Sequence, residues 1–186
     1  MQYFKDMGNE VFGVDIGKDY IELGRRHGLD LEVGTVEKLA EIKKIPDLII
    51  YAGVMGNLLN PVKELEILRT SLNPESLLYL EVKSISNLEK TFKQDFLKFL
   101  HGANTYHYTL NSLNNCAKKA GFELVHGNAR TNALFRIGKV DNNYRNDYES
   151  TLKFLQNLEK MRLNPLNSQK IKSKIFSLGK KAGVFK

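Results

Sequence analysis

Predicted strands and helices alternate without interruption over the first 82 residues, and this alternation limits the fold more than any other feature of the chain. Short apolar runs bounded by polar or turn residues predict four buried strands, at residues 10–15, 29–33, 47–51 and 77–82. Helices with an apolar face are predicted between them, at residues 20–27, 36–42 and 61–72. Short connections between such elements imply right-handed crossovers, so we predict an α/β fold with a parallel sheet between helices.

The pattern changes after residue 82. Two helices are predicted, one over residues 87–100 with Ser86 as its N-cap and one over residues 111–120. Strands follow at residues 122–126 and 133–140, and the segment between them is too short for a helix. These two strands should therefore pair antiparallel, which predicts a parallel sheet ending in an antiparallel hairpin.

Positive charge is concentrated at one end of the chain. Eight of the 28 Lys and Arg residues lie in residues 160–186, which contain no Asp or Glu, so the first 159 residues hold 20 basic and 21 acidic side chains. This nearly neutral body argues against a nucleic-acid-binding face built into the fold. The basic end, residues 163–186, is interpreted as a flexible tail. Its alternative is an amphipathic segment, carrying Ile171, Ile175, Phe176 and Leu178, that contacts an anionic membrane or phosphate.

The cysteine content and hydropathy exclude several classes of protein. The single Cys116 excludes an internal disulfide and any multi-cysteine metal site, and we predict no metal. The longest apolar stretch, residues 48–59, is too short to span a bilayer, and residues 1–8 lack the apolar region of a signal peptide. We therefore expect no transmembrane segment and a cytoplasmic location.

Asp15 is the first candidate site residue. It ends the first predicted strand, and ligands of open α/β sheets bind at the carboxyl ends of the strands. Its two carboxylate oxygens can accept hydrogen bonds from both hydroxyls of a ribose. A dinucleotide-binding oxidoreductase uses an acidic residue at the same place, although such domains continue with further crossovers rather than a terminal hairpin. Asp15 could also be an exposed strand-end residue with no ligand.

Four segments together resemble the class I S-adenosylmethionine-dependent methyltransferases, in particular small-molecule enzymes related to those that methylate ubiquinone precursors and sugars. They are Gly13-Val14-Asp15-Ile16, residues 34–39, residues 46–78 and residues 103–123. The resemblance implies a Rossmann-like methyltransferase sheet, S-adenosyl-L-methionine as cofactor, and a small-molecule acceptor such as a sugar or a cell-surface precursor. We assign the methyltransferase-like domain to residues 1–140. Apolar spacing after it predicts a C-terminal helix within residues 141–162, and the basic tail follows at 163–186.

The resemblance also assigns roles in binding the adenosine part of the cofactor. Asp15 would bind the ribose, and Ile16 would pack on the adenine. Thr35 and Val36 would meet the adenine edge with a side chain and a backbone N–H. Thr35 is also a good N-cap for the predicted helix that follows, and we favour this capping role slightly over the binding role.

The remaining assigned residues lie nearer the reacting groups. Tyr51 and Gly53, at the end of the third predicted strand, would lie near the methionine part of the cofactor. His107 would act as a general base or bind the acceptor, because an imidazole exchanges a proton near neutral pH. Tyr106 and Tyr108 would line the pocket beside it. The alternative for His107 is a polar residue in a surface loop.

The sequence departs from the family pattern in two regions. Met55-Gly56-Asn57 replaces the apolar-acidic-histidine set that is common after the corresponding strand, and Lys83 stands where proline is usual. No G-x-G occurs, so the family's glycine-rich turn and first strand have no counterpart. We therefore expect an N-terminally incomplete sheet, because the chain is an inactive fragment, has a misplaced start, or is completed by another chain. A non-catalytic methyltransferase-like interaction module is the alternative function.

Overall fold

The computed structural model describes residues 1–42, 44–90, 95–100, 102, 104–164, 166 and 168–181. The first half of the described chain forms α1 (Gln2–Asp6), β1 (Phe12–Asp15), α2 (Lys18–Arg26), β2 (Asp30–Val33), α3 (Glu37–Ala40), β3 (Leu48–Ala52), α4 (Pro61–Thr70) and β4 (Leu77–Glu81). The second half forms α5 (Leu110–Lys119), β5 (Phe122–Gly127), β6 (Asn132–Ile137), α6 (Tyr148–Leu163) and α7 (Ser168–Lys181).

The strands form two sheets. In the first sheet, β1 and β2 run parallel, with Phe12 opposite Asp30. The second sheet has the order β3-β4-β6-β5, in which β3 and β4 are parallel and β6 is antiparallel to both of its neighbours. The predicted α/β fold, with parallel strands that end in an antiparallel hairpin, is confirmed.

The two sheets separate between β1 and β3. In the described part of the chain, β1 is hydrogen-bonded to β2 and β3 to β4, and no ladder joins β1 to β3. On β3, Ile49 and Tyr51 are buried, whereas Leu48 and Ile50, which alternate with them, are exposed. The exposed apolar residues therefore lie on the face of β3 opposite the main core. Whether the sheet is incomplete in the active protein stays a prediction.

The main core lies between the second sheet and the helices α4 and α5. Leu65 and Leu68 of α4 and Leu113 of α5 are fully buried against Leu78 and Phe135 of the sheet. Asn60 positions α4 because its side chain accepts a hydrogen bond from the Lys63 N–H, with proline at the first helical position. This packing holds the carboxyl ends of β3 and β4 in fixed positions.

The helix predicted over residues 87–100 is wrong in the described part of that range, which forms 3-10 helices at Ile85–Lys90 and Phe96–Lys98. The Ile85 N–H donates to the Tyr108 carbonyl, and the Ser86 N–H donates to Ser84 Oγ. These tertiary and local contacts tie the segment to the loop before α5 and override its helical propensity. Leu88 and Phe99 then pack with Leu158 of α6 in a second apolar cluster.

The structure differs from the predicted flexible tail over part of its length, since Ser168–Lys181 forms the helix α7. Lys, Ile and Leu are compatible with a helix, and Gly179 lies in the last turn, where its cost is small. The preceding helix, α6, overlaps the predicted C-terminal helix but begins at Tyr148 rather than at residue 141. No helix within the described ranges combines the length and the apolar character needed to cross a membrane.

Candidate cofactor and acceptor site

Asp15 lies exposed at the carboxyl end of β1. Its backbone carbonyl accepts a hydrogen bond of 3.0 Å from the Gly34 N–H, which joins the ends of β1 and β2. Its Oδ1 accepts a hydrogen bond of 2.7 Å from the Gly17 N–H at the start of α2. Backbone and side chain are therefore both held by neighbouring main-chain groups, which orients the carboxylate.

Two exposed apolar side chains accompany this carboxylate. Ile16 is 77% exposed and Tyr20 is 76% exposed. A Cβ added at Gly17 would lie 2.6 Å from the Tyr20 ring and 3.0 Å from Asp15 Oδ1, so the ring and the carboxylate flank the same glycine. Sequence reasoning included Ile16 but missed Tyr20. Its position in the first turn of the helix that follows the strand-end carboxylate was the signal for it.

Thr35 and Val36 follow Gly34, whose N–H donates a hydrogen bond to the Asp15 carbonyl. Thr35 is not the N-cap of α3 that the sequence predicts. The N-cap of α3 is Val36, with no side-chain cap hydrogen bond, so the prediction that Thr35 caps this helix is wrong. Thr35 Oγ1 donates instead to the Glu37 carboxylate, and this hydrogen bond is the main reason that the pKa of Glu37 is lowered. The Val36 side chain is buried in the main core, which leaves its backbone as the part able to meet a ligand.

The buried Tyr51 side chain connects β3 to α4. Its hydroxyl donates a hydrogen bond of 2.9 Å to Glu64 Oε1. Burial raises the Tyr51 pKa, and the charges of Glu64 and Glu37 raise it further. The tyrosine side chain thus belongs to the core, and sequence reasoning missed its partner Glu64 because the pairing depends on how α4 packs on the sheet.

Gly53 follows β3 and opens space at its carboxyl end. Its φ is +74°, and a Cβ added there would meet no heavy atom within 4 Å. The Gly53 N–H donates a hydrogen bond of 2.8 Å to the Glu81 carbonyl, which holds the ends of β3 and β4 together. A bound group could approach the backbone closely at this point.

The loop after β3 is held by the segment that carries His107. The Tyr106 N–H donates to the Gly56 carbonyl at 3.0 Å, and the Tyr106 hydroxyl donates to the Leu59 carbonyl at 3.2 Å. The Tyr108 hydroxyl donates to the Met55 carbonyl at 3.3 Å. Tyr108 is buried and therefore structural, whereas Tyr106 remains exposed at the surface of this loop.

His107 is half-buried between these two tyrosines. Its ring centroid lies 4.9 Å from that of Phe99 in the second apolar cluster, with an angle of 52° between the rings. The backbone at Tyr108 pairs with Ser84, just after β4. His107 therefore lies on a segment fixed at the carboxyl ends of β3 and β4, rather than in an isolated surface loop.

An open cavity of about 260 Å³ adjoins this segment at Thr109. Its wall combines hydroxyl, amide and carboxylate groups with apolar surface, and it is formed by Ser86, Thr109, Asn111, Asp147, Ser150, Thr151 and Phe154. Thr109 is two residues after His107 in the chain. Sequence reasoning missed the cavity because its wall comes from three separate parts of the chain that only packing brings together.

The predicted site residues thus form two groups. Asp15, Ile16 and Thr35 lie at the carboxyl edge of the first sheet, while Gly53 and His107 lie at that of the second. Val36 and Tyr51 connect the two groups from inside the main core, where both are buried in one cluster. Their side chains therefore pack in the core and do not line the ligand-facing surface.

The fold, together with the residues at the carboxyl ends of its parallel strands, defines a class I S-adenosylmethionine-dependent methyltransferase. The cofactor of this class is S-adenosyl-L-methionine. A family model described as a methyltransferase domain matches residues 1–127, more than half of the chain, and the chain belongs to that family. No curated protein sequence matches the chain.

Solved structures share the fold at low sequence identity. PH0226 from Pyrococcus horikoshii OT3 is 18% identical with a TM-score of 0.57, over 73% of this chain and 75% of that one. An S-adenosylmethionine-dependent methyltransferase from Mesorhizobium loti is 13% identical with a TM-score of 0.54, over 73% and 84%. A Thermotoga maritima methyltransferase, described as a possible histamine N-methyltransferase, is 15% identical with a TM-score of 0.53, over 75% and 77%.

The residues at the sheet edge fit the adenosine part of this cofactor. An exposed, oriented carboxylate at Asp15 suits a ribose diol, and the exposed Ile16 offers an apolar surface for a base. The open backbone at Gly53 gives a bound group space to approach the end of β3. When bound, the cofactor supplies an electrophilic methyl group on its sulfonium.

Proposed function

We propose that this protein transfers the methyl group of S-adenosyl-L-methionine to a small polar molecule such as a sugar or a cell-surface precursor. The observation that carries the proposal is the Asp15 carboxylate, exposed at the end of β1 and oriented by the Gly17 N–H. Charge-assisted hydrogen bonds to the cofactor ribose would contribute about 1.5–3 kcal/mol.

The other residues at the edge surround the same ligand. Ile16 would contact the adenine face, and Thr35 and the Val36 backbone would meet the adenine edge. Gly53 would let the methionine part approach the end of β3. Tyr51 would act indirectly, because its hydrogen bond to Glu64 holds β3 in place.

The acceptor would bind in the open cavity lined by Thr109, which is two residues after His107 in the chain. The four hydroxyl side chains in its wall, with Asn111 and Asp147, offer donors and acceptors that suit a polyhydroxylated molecule. His107 would take the proton of the acceptor hydroxyl, since its segment is fixed beside Ser84 at the carboxyl end of β4. The chain itself would mainly orient the acceptor.

We further propose that the active form has an additional strand between β1 and β3. An added strand would pair the backbone groups along both edges, each of which costs roughly 1–3 kcal/mol if buried without a partner. A helix attached to such a strand would cover Leu48 and Ile50, which are exposed on β3. We also propose a cytoplasmic location, consistent with the free Cys116.

A non-catalytic methyltransferase-like module is the second candidate function. Met55-Gly56-Asn57 supports it, because these residues form a 3-10 helix at the end of β3 without an ionisable side chain. Such a module would keep the fold and lose the cofactor.

An NMR titration with S-adenosyl-L-methionine tests the proposal, because it detects even binding of about millimolar strength. We expect weak binding by the chain alone, with shifts at Asp15, Ile16 and Gly53. Asp15→Asn should weaken it by roughly tenfold or more, whereas Asp19→Asn, a matched exposed carboxylate in α2, should not. Equal effects of both variants would overturn the role of Asp15. Micromolar affinity of the chain alone would overturn the need for another strand, and no shifts at saturation would favour the non-catalytic module.

A further inference from the structure

The helix α7 exposes an apolar stripe. Ile171, Ile175 and Leu178 are spaced four and three residues apart, which places them on one side of a helix. They are 42%, 58% and 63% exposed, respectively. An apolar stripe of this kind normally packs on a protein core. Its exposure on a regular helix therefore indicates that it binds another apolar surface.

Basic side chains border the stripe. Lys172 and Lys174 are exposed and fall on opposite flanks of it, given about 3.6 residues per turn. Phe176 lies on the Lys172 side, with the Lys180 ammonium 6.0 Å from its ring centroid. Residues 160–186 carry eight basic and no acidic side chains, so the surface that complements this helix is negatively charged.

We propose that α7 lies on an anionic lipid surface. Ile171, Ile175 and Leu178 would enter the boundary between headgroups and acyl chains, while the flanking lysines contact lipid phosphates. With 14 residues the helix is about 21 Å long, which suits the plane of a membrane and is too short to cross it. An RNA partner would use the lysines but would leave the aliphatic stripe in water.

The connection to the body makes this helix an anchor. α6 is attached to the domain through Leu158, which is fully buried in the second apolar cluster. Near its end, Arg162 forms two hydrogen bonds of 2.6 Å with the Glu159 carboxylate. Beyond it, Leu163 and Leu166 are exposed and continue the apolar character toward α7. Binding of α7 would therefore hold the domain close to the lipid surface.

Co-sedimentation of the full chain with vesicles tests the proposal. We expect binding to phosphatidylcholine vesicles that contain phosphatidylserine, weaker binding in high salt, and little binding to pure phosphatidylcholine. Lys172→Gln with Lys174→Gln should weaken binding by roughly fivefold per lysine. Ile175→Ser with Leu178→Ser should weaken it by at least about tenfold. Val140→Ser, a comparably exposed aliphatic residue after β6, is the matched control and should bind like the unchanged protein.

Three results would overturn the proposal. They are no binding to the anionic vesicles, equal binding to both kinds of vesicle, and full binding by the Ile175→Ser, Leu178→Ser variant. Binding of a single-stranded RNA that survives the aliphatic substitutions would replace lipid with nucleic acid as the partner. The result is independent of the proposed methyl transfer, because cofactor binding is measured separately by the NMR titration at Asp15.

Discussion

The Gly17 N–H donates a hydrogen bond of 2.7 Å to Asp15 Oδ1, so a backbone group two residues away orients the carboxylate at the end of β1. Gly17 is also the N-cap of α2, and its N–H lies among the groups that leave a helix start with a partial positive charge. The carboxylate is thus held at the sheet edge while remaining exposed to a ligand.

Gly17→Ala should disturb this arrangement and weaken cofactor binding. The added methyl group would lie 2.6 Å from the Tyr20 ring and 3.0 Å from Asp15 Oδ1, so one of these groups must move. We expect a loss of roughly threefold to tenfold in S-adenosyl-L-methionine affinity, a partial loss of the Asp15 interaction, measured by NMR titration. Gly102→Ala is the control, because a Cβ there meets no atom within 4 Å. Unchanged affinity in Gly17→Ala would show that this orientation is not needed.

Gly53→Ala should reduce both stability and cofactor binding. A φ of +74° costs a non-glycine residue about 1–2 kcal/mol of folding free energy, and the new methyl group would enter the proposed space for the methionine part. Gly8→Ala is matched to it, since Gly8 has a φ of +85° and an equally open Cβ position. Urea unfolding should give similar losses for the two variants, whereas only Gly53→Ala should weaken binding in the titration. Equal cofactor affinity in both variants would remove Gly53 from the site.

Tyr51→Phe should destabilise the fold through Glu64. The substitution removes a hydrogen bond to a carboxylate in a half-buried setting, which is worth about 1.5–3 kcal/mol. The free energy of unfolding from urea denaturation measures the effect. Tyr79→Phe provides the comparison, because its hydroxyl meets Glu81 at 3.1 Å at the surface, and its loss should cost less than about 1 kcal/mol. If the two variants lose the same stability, the hydrogen bond between Tyr51 and Glu64 does not stabilise the packing of α4 on β3.

Stability should fall at alkaline pH because of two buried tyrosines. Burial raises the pKa of both Tyr51 and Tyr108 above the ordinary value of 10.0. In the folded state they stay protonated where the unfolded chain ionises, so their contribution is complete below pH 10 and declines above it. Each should contribute a slope of about 1.4 kcal/mol per pH unit there. Unfolding free energies measured on both sides of pH 10 test this, and Tyr51→Phe should flatten the decline. An unchanged slope in that variant would contradict the assignment.

Several features of the site follow from sequence pattern alone. Asp15 was predicted at a strand end because a short apolar run stops there, and the antiparallel pairing of β5 and β6 followed from the short gap between them. Other features did not follow. Thr35 has a side chain suited to capping a helix and Val36 does not, yet Val36 is the N-cap of α3. Because the helix begins one residue later than the composition indicates, Thr35 donates its hydrogen bond to the Glu37 side chain instead.

Tyr51 illustrates a second limit of the pattern. Both faces of β3 are apolar, so the sequence does not specify which face meets α4, and a shift of one residue would exchange the two faces. The packed structure buries Tyr51 on Glu64 and exposes Leu48 and Ile50. The cavity that includes Thr109 and Asp147 also cannot be predicted from local pattern, because these two residues are nearly 40 positions apart in the chain.

Local pattern by itself determined the alternation of strands and helices over residues 10–82, the place of Asp15 at a strand end, and the excess of lysine at the C-terminal end of the chain. These depend on hydrophobic periodicity, turn residues and charge, which are properties of neighbours in the chain. Only the tertiary structure decided that Tyr51 and Val36 lie in the core, that His107 packs on Phe99, and that the strands separate into two sheets. Those outcomes depend on contacts between distant segments, whose free energies are set by packing and burial rather than by any single stretch of sequence.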